Sequence, residues 1–167
     1  MPSSSPTKTC DKDEFSDIPV IAEPEEPFMT MSQTIEKHFN DPSIKVGVLS
    51  GPNLAREIAD KKVAGTVIAS KHADLCNLGR EILSSSTFKI YTSNDIKGIE
   101  LAGALKNIYA IISGYCHSLD VGENAIGLIL TRSMAEMSNF AVSKGANPIT
   151  FLGLAGMGDL VATCFSK

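Results

Sequence analysis

From Met29 onward the hydrophobic positions of this chain change period repeatedly, from short strand-like runs to longer helical ones, and the changes fall at Gly, Pro, Asn and Asp. Met29 to Phe39 has the spacing of a short amphipathic helix. It should stop at Asn40-Asp41-Pro42, because a proline disfavours helical geometry in the residue before it. Lys45–Leu49 then reads as a strand, broken by Ser50-Gly51-Pro52. Asn53–Lys61 follows as a helix with Leu54, Ile58 and Ala55 inward. Thr66–Ala69 is a second strand, Ala73–Leu83 a helix with Leu75, Leu78, Ile82 and Leu83 inward, and Phe88–Thr92 a third strand. Each connection is long enough for a parallel crossover, so the expected fold class is α/β with a doubly wound parallel sheet. Its ligand edge would be the carboxyl ends of the strands, where Gly51 to Asn53 falls.

After Asp95 the pattern turns helical and stays so, as in an all-α part. Residues 99 to 119 are apolar nearly all the way round, which predicts a helix buried on most sides. Lys106 sits in its middle, with Ala102, Gly103 and Ala110 on the same face. Two readings stay open. The lysine runs its methylenes to the surface and leaves its charge in water, or it is a partly desolvated ammonium in a cleft, the usual setting for a lysine that moves protons. In the second case Asn107 is placed to orient a substrate oxygen. A helix from Ala125 to Lys144 follows, N-capped by Asn124 and ended by Gly145, with Ile126, Ile129, Leu130, Met137, Phe140 and Ala141 at helical spacing. Arg132 and Glu136, one turn apart, read as a surface pair. Asn147-Pro148 should start a short helix.

The closing stretch contains Gly156 and Gly158, but Val161 stands at the third glycine position and a helix precedes it, so the dinucleotide-binding fingerprint fails. The glycines are expected to turn the chain tightly and to set Asp159 as N-cap of a last helix, with Thr163 one turn later on the same face.

Residues 1–28 stand apart from all of this. Pro2, Pro6, Pro19, Pro24 and Pro27 punctuate Ser, Thr and acidic residues without periodicity, and the stretch reads as a disordered arm. It lacks the apolar core of a signal peptide and the arginines of a mitochondrial presequence. Hydrophobic residues at 43% and charged residues at 20% describe a globular remainder with a core. A formal net charge of −4 leaves no basic footprint for nucleic acid. Cys10, Cys76, Cys116 and Cys164 have no paired spacing, which suits neither a zinc site nor a disulfide framework and points to reduced cytoplasmic thiols. No metal ligand set is expected. No apolar run reaches the 18 or so residues of a membrane span without a charge or glycine.

Four segments together carry a resemblance: Ser-Gly-Pro-Asn-Leu-Ala (50–55), Gly-Ile-Glu-Leu-Ala-Gly-Ala-Leu-Lys-Asn (98–107), Thr-Arg-Ser-Met-Ala-Glu-Met (131–137) and Gly-Leu-Ala-Gly-Met-Gly-Asp-Leu-Val-Ala-Thr-Cys (153–164). In this order and at these separations the chain, from about Met31 to its end, resembles the soluble NAD(P)-dependent glycerol-3-phosphate dehydrogenases. The resemblance implies a Rossmann-type nucleotide-binding part over residues 29–94 and a helical substrate part over residues 95–167. It implies interconversion of dihydroxyacetone phosphate and sn-glycerol 3-phosphate with NAD or NADP, a homodimer, and a cytoplasmic location. Carried over position by position, Lys106 is the catalytic proton donor and acceptor. Gly51, Asn53, Asn107, Asp159 and Thr163 lie at the substrate, Asn53 standing where many members have serine, and Ala55 touches the cofactor.

The departures are specific. The family's glycine-rich strand, a second lysine expected near Glu23, and the Ser-Arg-Asn segment expected beyond Lys167 are not in this sequence. The resemblance therefore implies a piece of the enzyme, inactive by itself. Two alternatives stand beside it: a non-catalytic homologue that partners a longer subunit, and a dehydrogenase of another short phosphorylated or carboxylated alcohol. With the pyrophosphate's main seat lacking, the chain should bind NAD(H) very weakly. Titration calorimetry checks this, and micromolar affinity for NADH would contradict it.

Overall fold

The computed structural model describes residues 28–166, so the expected disordered arm lies, Phe28 apart, outside the described residues. The sheet has three strands, β1 (Gly47–Ser50), β2 (Ala64–Ser70) and β3 (Phe88–Ser93), side by side in that order. Residues Thr66 to Ser70 are buried without alternation, as in a central strand covered on both faces. β2 and β3 are parallel, with Ala64 beside Phe88 and Ala69 beside Ser93. The helix between them spans Ala73–Leu83, the bounds its spacing predicts.

β1 departs from the expected parallel order. It pairs antiparallel with β2, Gly47 opposite Ser70 and Ser50 opposite Val67. The reason is the helix between them, which is only the five residues Ala55–Ala59 because Lys61, at a left-handed φ of 58°, stops it. Five helical residues advance about 7.5 Å, whereas returning along a seven-residue strand takes roughly 23 Å. The chain therefore enters β2 near where it left β1. Gly51 to Asn53 consequently sits at the carboxyl end of β1 but beside the amino end of β2, at the opposite edge from that expected.

In chain order the helices are α1 (Met31–Phe39), α2 (Ala55–Ala59), α3 (Ala73–Leu83), α4 (Ile96–Ser118), α5 (Glu123–Ser143), α6 (Pro148–Leu152) and α7 (Asp159–Cys164). The Asp95 side chain caps α4, accepting from Gly98 N at 2.9 Å. Its other oxygen accepts from Asn147 N at 3.0 Å and from the Thr150 hydroxyl at 2.5 Å, so one carboxylate ties α4 to α6. Glu100 docks α1 in a similar way, accepting from the Ser32 amide at 2.8 Å and the Ser32 hydroxyl at 2.6 Å. Asn147 caps α6 as expected. For α5 the cap is Gly122, at φ 86°, and not Asn124.

The glycine-rich segment also departs from expectation. Leu154–Gly158 forms one π-helical turn that runs straight into α7, Gly158 N donating to Gly153 O at 3.2 Å. Gly158 is itself helical, so Asp159 lies inside a continuous helix and is not its cap. What Gly156 supplies is room: a Cβ there would lie 2.3 Å from the Phe151 carbonyl oxygen.

Two apolar clusters meet along the first half of α4. Leu101 and Ala102 pack with Met134, Met137 and Ala141 of α5, Phe151 of α6 and Leu160 of α7. Ile96 and Ile99 pack on Val67 and Ala69 of β2 together with Ala155. The second half of α4 does not share the expected burial. Ile108, Ile111, Ile112, Tyr115 and Leu119 fall on one face, and Ile111 and Tyr115 are 74% and 64% exposed. Leu78, Ile82 and Leu83 of α3, Leu54 and Ile58 around α2, and Phe140 of α5 are exposed as well, although their spacing marked them inward. Periodicity identifies an apolar face, and among the described residues no element covers these. On α5, by contrast, Ile126 and Met137 are buried and Ile129 is half-buried, so the face that was expected to lack part of its cover is the one that α4, α6 and α7 pack around. Glu136 takes its hydrogen bond from the Tyr109 hydroxyl at 3.2 Å, so its partner is on α4 and is not Arg132. Burial, and then the Glu136 charge, push the Tyr109 phenol above its usual range.

An uncovered apolar face of this length favours self-association. Sedimentation velocity should show oligomers that grow with concentration and that Ile111→Glu reduces. A concentration-independent monomer in the parent chain would count against this.

Candidate active site

Lys106 points from α4 to α7, where its Nζ lies 2.5 Å from Asp159 Oδ2. The two side chains are 19% and 8% exposed, so the ammonium is paired with a buried carboxylate and the surface reading of this lysine does not hold. The pairing follows from the packing around it. Leu101 and Ala102 bring α4 against Leu160 of α7, and Asp159, the residue before Leu160, is carried into the interface. A carboxylate there needs a counter-charge, since removing one partner of a buried pair typically costs about 3–5 kcal/mol. Thr163 follows one turn along α7 and is half-buried. Its hydroxyl donates to the Asp159 main-chain carbonyl at 2.7 Å, bracing the turn that holds the carboxylate.

The turn after β1 supplies the second group. Gly51 is buried at φ 149°, and a Cβ on it would lie 3.1 Å from both Gly65 O and Thr66 Cα, so both backbone angle and space call for glycine. Asn53 donates from Nδ2 to Thr66 Oγ1 at 2.8 Å, and Thr66 Oγ1 donates to Ser50 O at 2.9 Å. Asn53 Oδ1 is buried without a partner, alone in this among the side-chain polar atoms of the described residues. Gly103, one turn before Lys106 on the same face of α4, links the two groups: a Cβ on it would stand 3.4 Å from Ser50 Oγ.

Of the residues singled out in the sequence, the structure thus joins Lys106, Asp159 and Thr163 between α4 and α7, and Gly51 with Asn53 around Thr66. Asn107 on α4 and Ala55 at the start of α2 are exposed. Among the described residues, no side-chain hydrogen bond ties Asn107 to the rest. Three residues that tie the surrounding elements together escaped the sequence reading. Asp95, three before Gly98, had a readable cap pattern. Glu100 and Thr66 had none, because their partners lie 68 and 16 residues away.

No group of three His, Cys, Asp or Glu side chains among the described residues is disposed to hold a metal ion, and no helix there is long and apolar enough to cross a membrane. Gly156 and Gly158 do not have the setting of a dinucleotide-binding fingerprint. The paired glycines follow a helix and not a strand, and Gly156 is pressed against the backbone of α6.

Comparison with known proteins places this geometry. Residues 22–76 match the family model of the NAD-dependent glycerol-3-phosphate dehydrogenase N-terminus, and residues 95–167 match that of the C-terminus. The glycerol-3-phosphate dehydrogenases [NAD(P)+] of Pseudomonas syringae pv. tomato and Pseudomonas putida are each 55% identical over 139 residues, which is 83% of this chain and 40% of theirs. The chain therefore spans about two fifths of the length of these relatives. Among solved structures, the glycerol-3-phosphate dehydrogenase of Coxiella burnetii superposes with a TM-score of 0.76 at 34% identity, over 80% of this chain and 40% of that one. The DsGPDH of Dunaliella salina gives a TM-score of 0.76 at 30% identity, over 82% and 23%. These matches cover both the strands that carry the Gly51 turn and the helices that carry the ion pair, and the chain belongs to the NAD-dependent glycerol-3-phosphate dehydrogenase family.

Proposed function

We infer that this chain carries the substrate side of an active site that interconverts dihydroxyacetone phosphate and sn-glycerol 3-phosphate with NAD or NADP. The observation that carries the reading is the buried ion pair of Lys106 and Asp159. It stands where the resemblance puts the catalytic lysine, with Ser50, the residue before the Gly51–Asn53 turn, reaching the same face of α4.

In reduction the carbonyl carbon of the ketone gains a hydride and its oxygen becomes an alkoxide that must be protonated. The hydride is the nicotinamide's chemistry. What this chain supplies is the proton. Lys106 Nζ donates to the forming alkoxide and, in oxidation, accepts from the hydroxyl. Asp159 holds the ammonium in place and compensates its charge in a site screened from water. Gly51 and Asn53 line the substrate from the sheet side, and Asn107, Thr163 and Ala55 retain the roles that the resemblance implies.

In this reading residues 29–94 close a nucleotide-binding part and residues 95–167 open a substrate part. A homodimer and a cytoplasmic location belong to it too, as does the absence of a nucleic-acid partner, supported by the net charge of −4. The exposed face of α4 favours one second reading, a non-catalytic partner that packs on a longer subunit. Size-exclusion chromatography with and without a full-length relative separates the two.

Substitution at Lys106 tests the proton role, in a chimera that supplies the remaining segments from the Pseudomonas putida relative. Lys106→Met should lower turnover by about 10² or more with little change in cofactor affinity. Lys106→Arg keeps the charge but holds its proton near neutral pH. Turnover by Lys106→Arg within a few-fold of the parent would show that charge alone suffices and that no proton moves through this residue.

Stability of the chain itself tests the pairing. In urea titrations Asp159→Leu should lose about 3–5 kcal/mol by stranding the ammonium, and adding Lys106→Met should restore much of it. Additive losses in the double variant would show that the pair is not coupled.

A further inference from the structure

We propose that Thr66 is a positioning residue for the substrate: it fixes which end of the Asn53 amide faces the ligand. The proposal rests on the function inferred above, and it follows from the direction of two hydrogen bonds. A threonine hydroxyl has one proton to give. Thr66 is fully buried and gives that proton to the Ser50 carbonyl at 2.9 Å, a group that can only accept. Its oxygen is therefore left as an acceptor toward Asn53, and the partner at 2.8 Å has to be the Nδ2 donor. With the amide turned this way, Oδ1 is the end left over, and it is the buried side-chain polar atom without a partner among the described residues. A buried acceptor without a donor is an unmet demand that a ligand hydroxyl satisfies and a phosphate oxygen does not.

The same threonine also holds the turn. Its Cα and Oγ1 would stand 3.1 Å and 3.3 Å from a Cβ on Gly51, so Gly51 and Asn53 are both seated on this one side chain. Oδ1 then selects a donor, and the donors on sn-glycerol 3-phosphate are its hydroxyls. Thr66 acts through Asn53 and needs no contact with substrate.

The test uses the 167-residue chain labelled with 15N and three variants. Thr66→Val keeps the shape and removes the hydroxyl, Thr66→Ser keeps the hydroxyl, and Thr66→Ala serves as the hydroxyl-free variant if the valine does not fold. The Asn53 side-chain amide signals are assigned by their loss in Asn53→Asp. In the parent and in Thr66→Ser, one Nδ2 hydrogen should exchange slowly with solvent. In Thr66→Val its exchange should quicken at least ten-fold while the backbone signals of α4 and α7 stay in place. Equal protection with and without the hydroxyl would overturn the proposal. Titration with sn-glycerol 3-phosphate is read at the same signals, where binding should weaken about five-fold or more in Thr66→Val and recover in Thr66→Ser. Unchanged affinity in Thr66→Val would also overturn it. If the parent's Asn53 signals do not move with sn-glycerol 3-phosphate at all, the assignment of this site to that substrate fails, and the exchange measurement still decides separately whether Thr66 fixes the amide.

Discussion

A charge that cannot reach water constrains everything around it. Asp159 is held inside by the packing of α7 on α4, and its only acceptable state there is next to a cation. Lys106 meets it because Ala102 and Gly103 leave the preceding turn of α4 narrow enough for α7 and the Ser50 turn to come close. The pair therefore fixes the relative position of two helices that are separated in sequence by α5 and α6. Asp95 reinforces the same geometry from the other end, since the carboxylate that starts α4 also seats α6, and α6 leads directly into the π turn and α7. Neighbouring helix ends and one buried ion pair thus form a single mechanical unit.

Much of this was readable from periodicity. The bounds of the helix Ala73–Leu83 and the strand after it, the Asn147 cap and the length of α5 are set by local rules of spacing and capping, and these carried through. What did not carry through shares a physical origin. The parallel order of β1 failed because Lys61 ends α2 after five residues, a left-handed kink that no hydrophobic pattern announces. All-round burial of residues 99–119 failed because an apolar face says nothing about whether a partner is present. The cap role of Asp159 failed because Gly158 adopts ordinary helical angles, and the pressure of Gly156 on Phe151 is a tertiary fact.

The candidate site divides along the same line. Lys106 stood out as a charge among small and apolar residues, and the motif resemblance selected Asp159 from outside the local pattern. That the two are ion partners is a property of the α4–α7 packing alone. Thr66 was read as one more β-branched strand residue, and in the structure it is the support of the whole Gly51–Asn53 turn. A strand interior gives a hydroxyl no periodic signature. Only its partners, 13 and 16 residues distant, reveal what it does.

The π turn over Leu154–Gly158 has a consequence for the direction in which Asp159 faces. A π turn holds about one residue more than an α turn, and in a helix one residue is about 100° of rotation. The wider turn absorbs that residue, and so sets the phase of α7 about its own axis. Wound at the α pitch with every residue kept, the same five positions would carry the helix about one residue further round. Asp159 would then turn out of the interface and a neighbour would face the ammonium. The apparent irregularity of this segment is the device that aims the acid at the lysine.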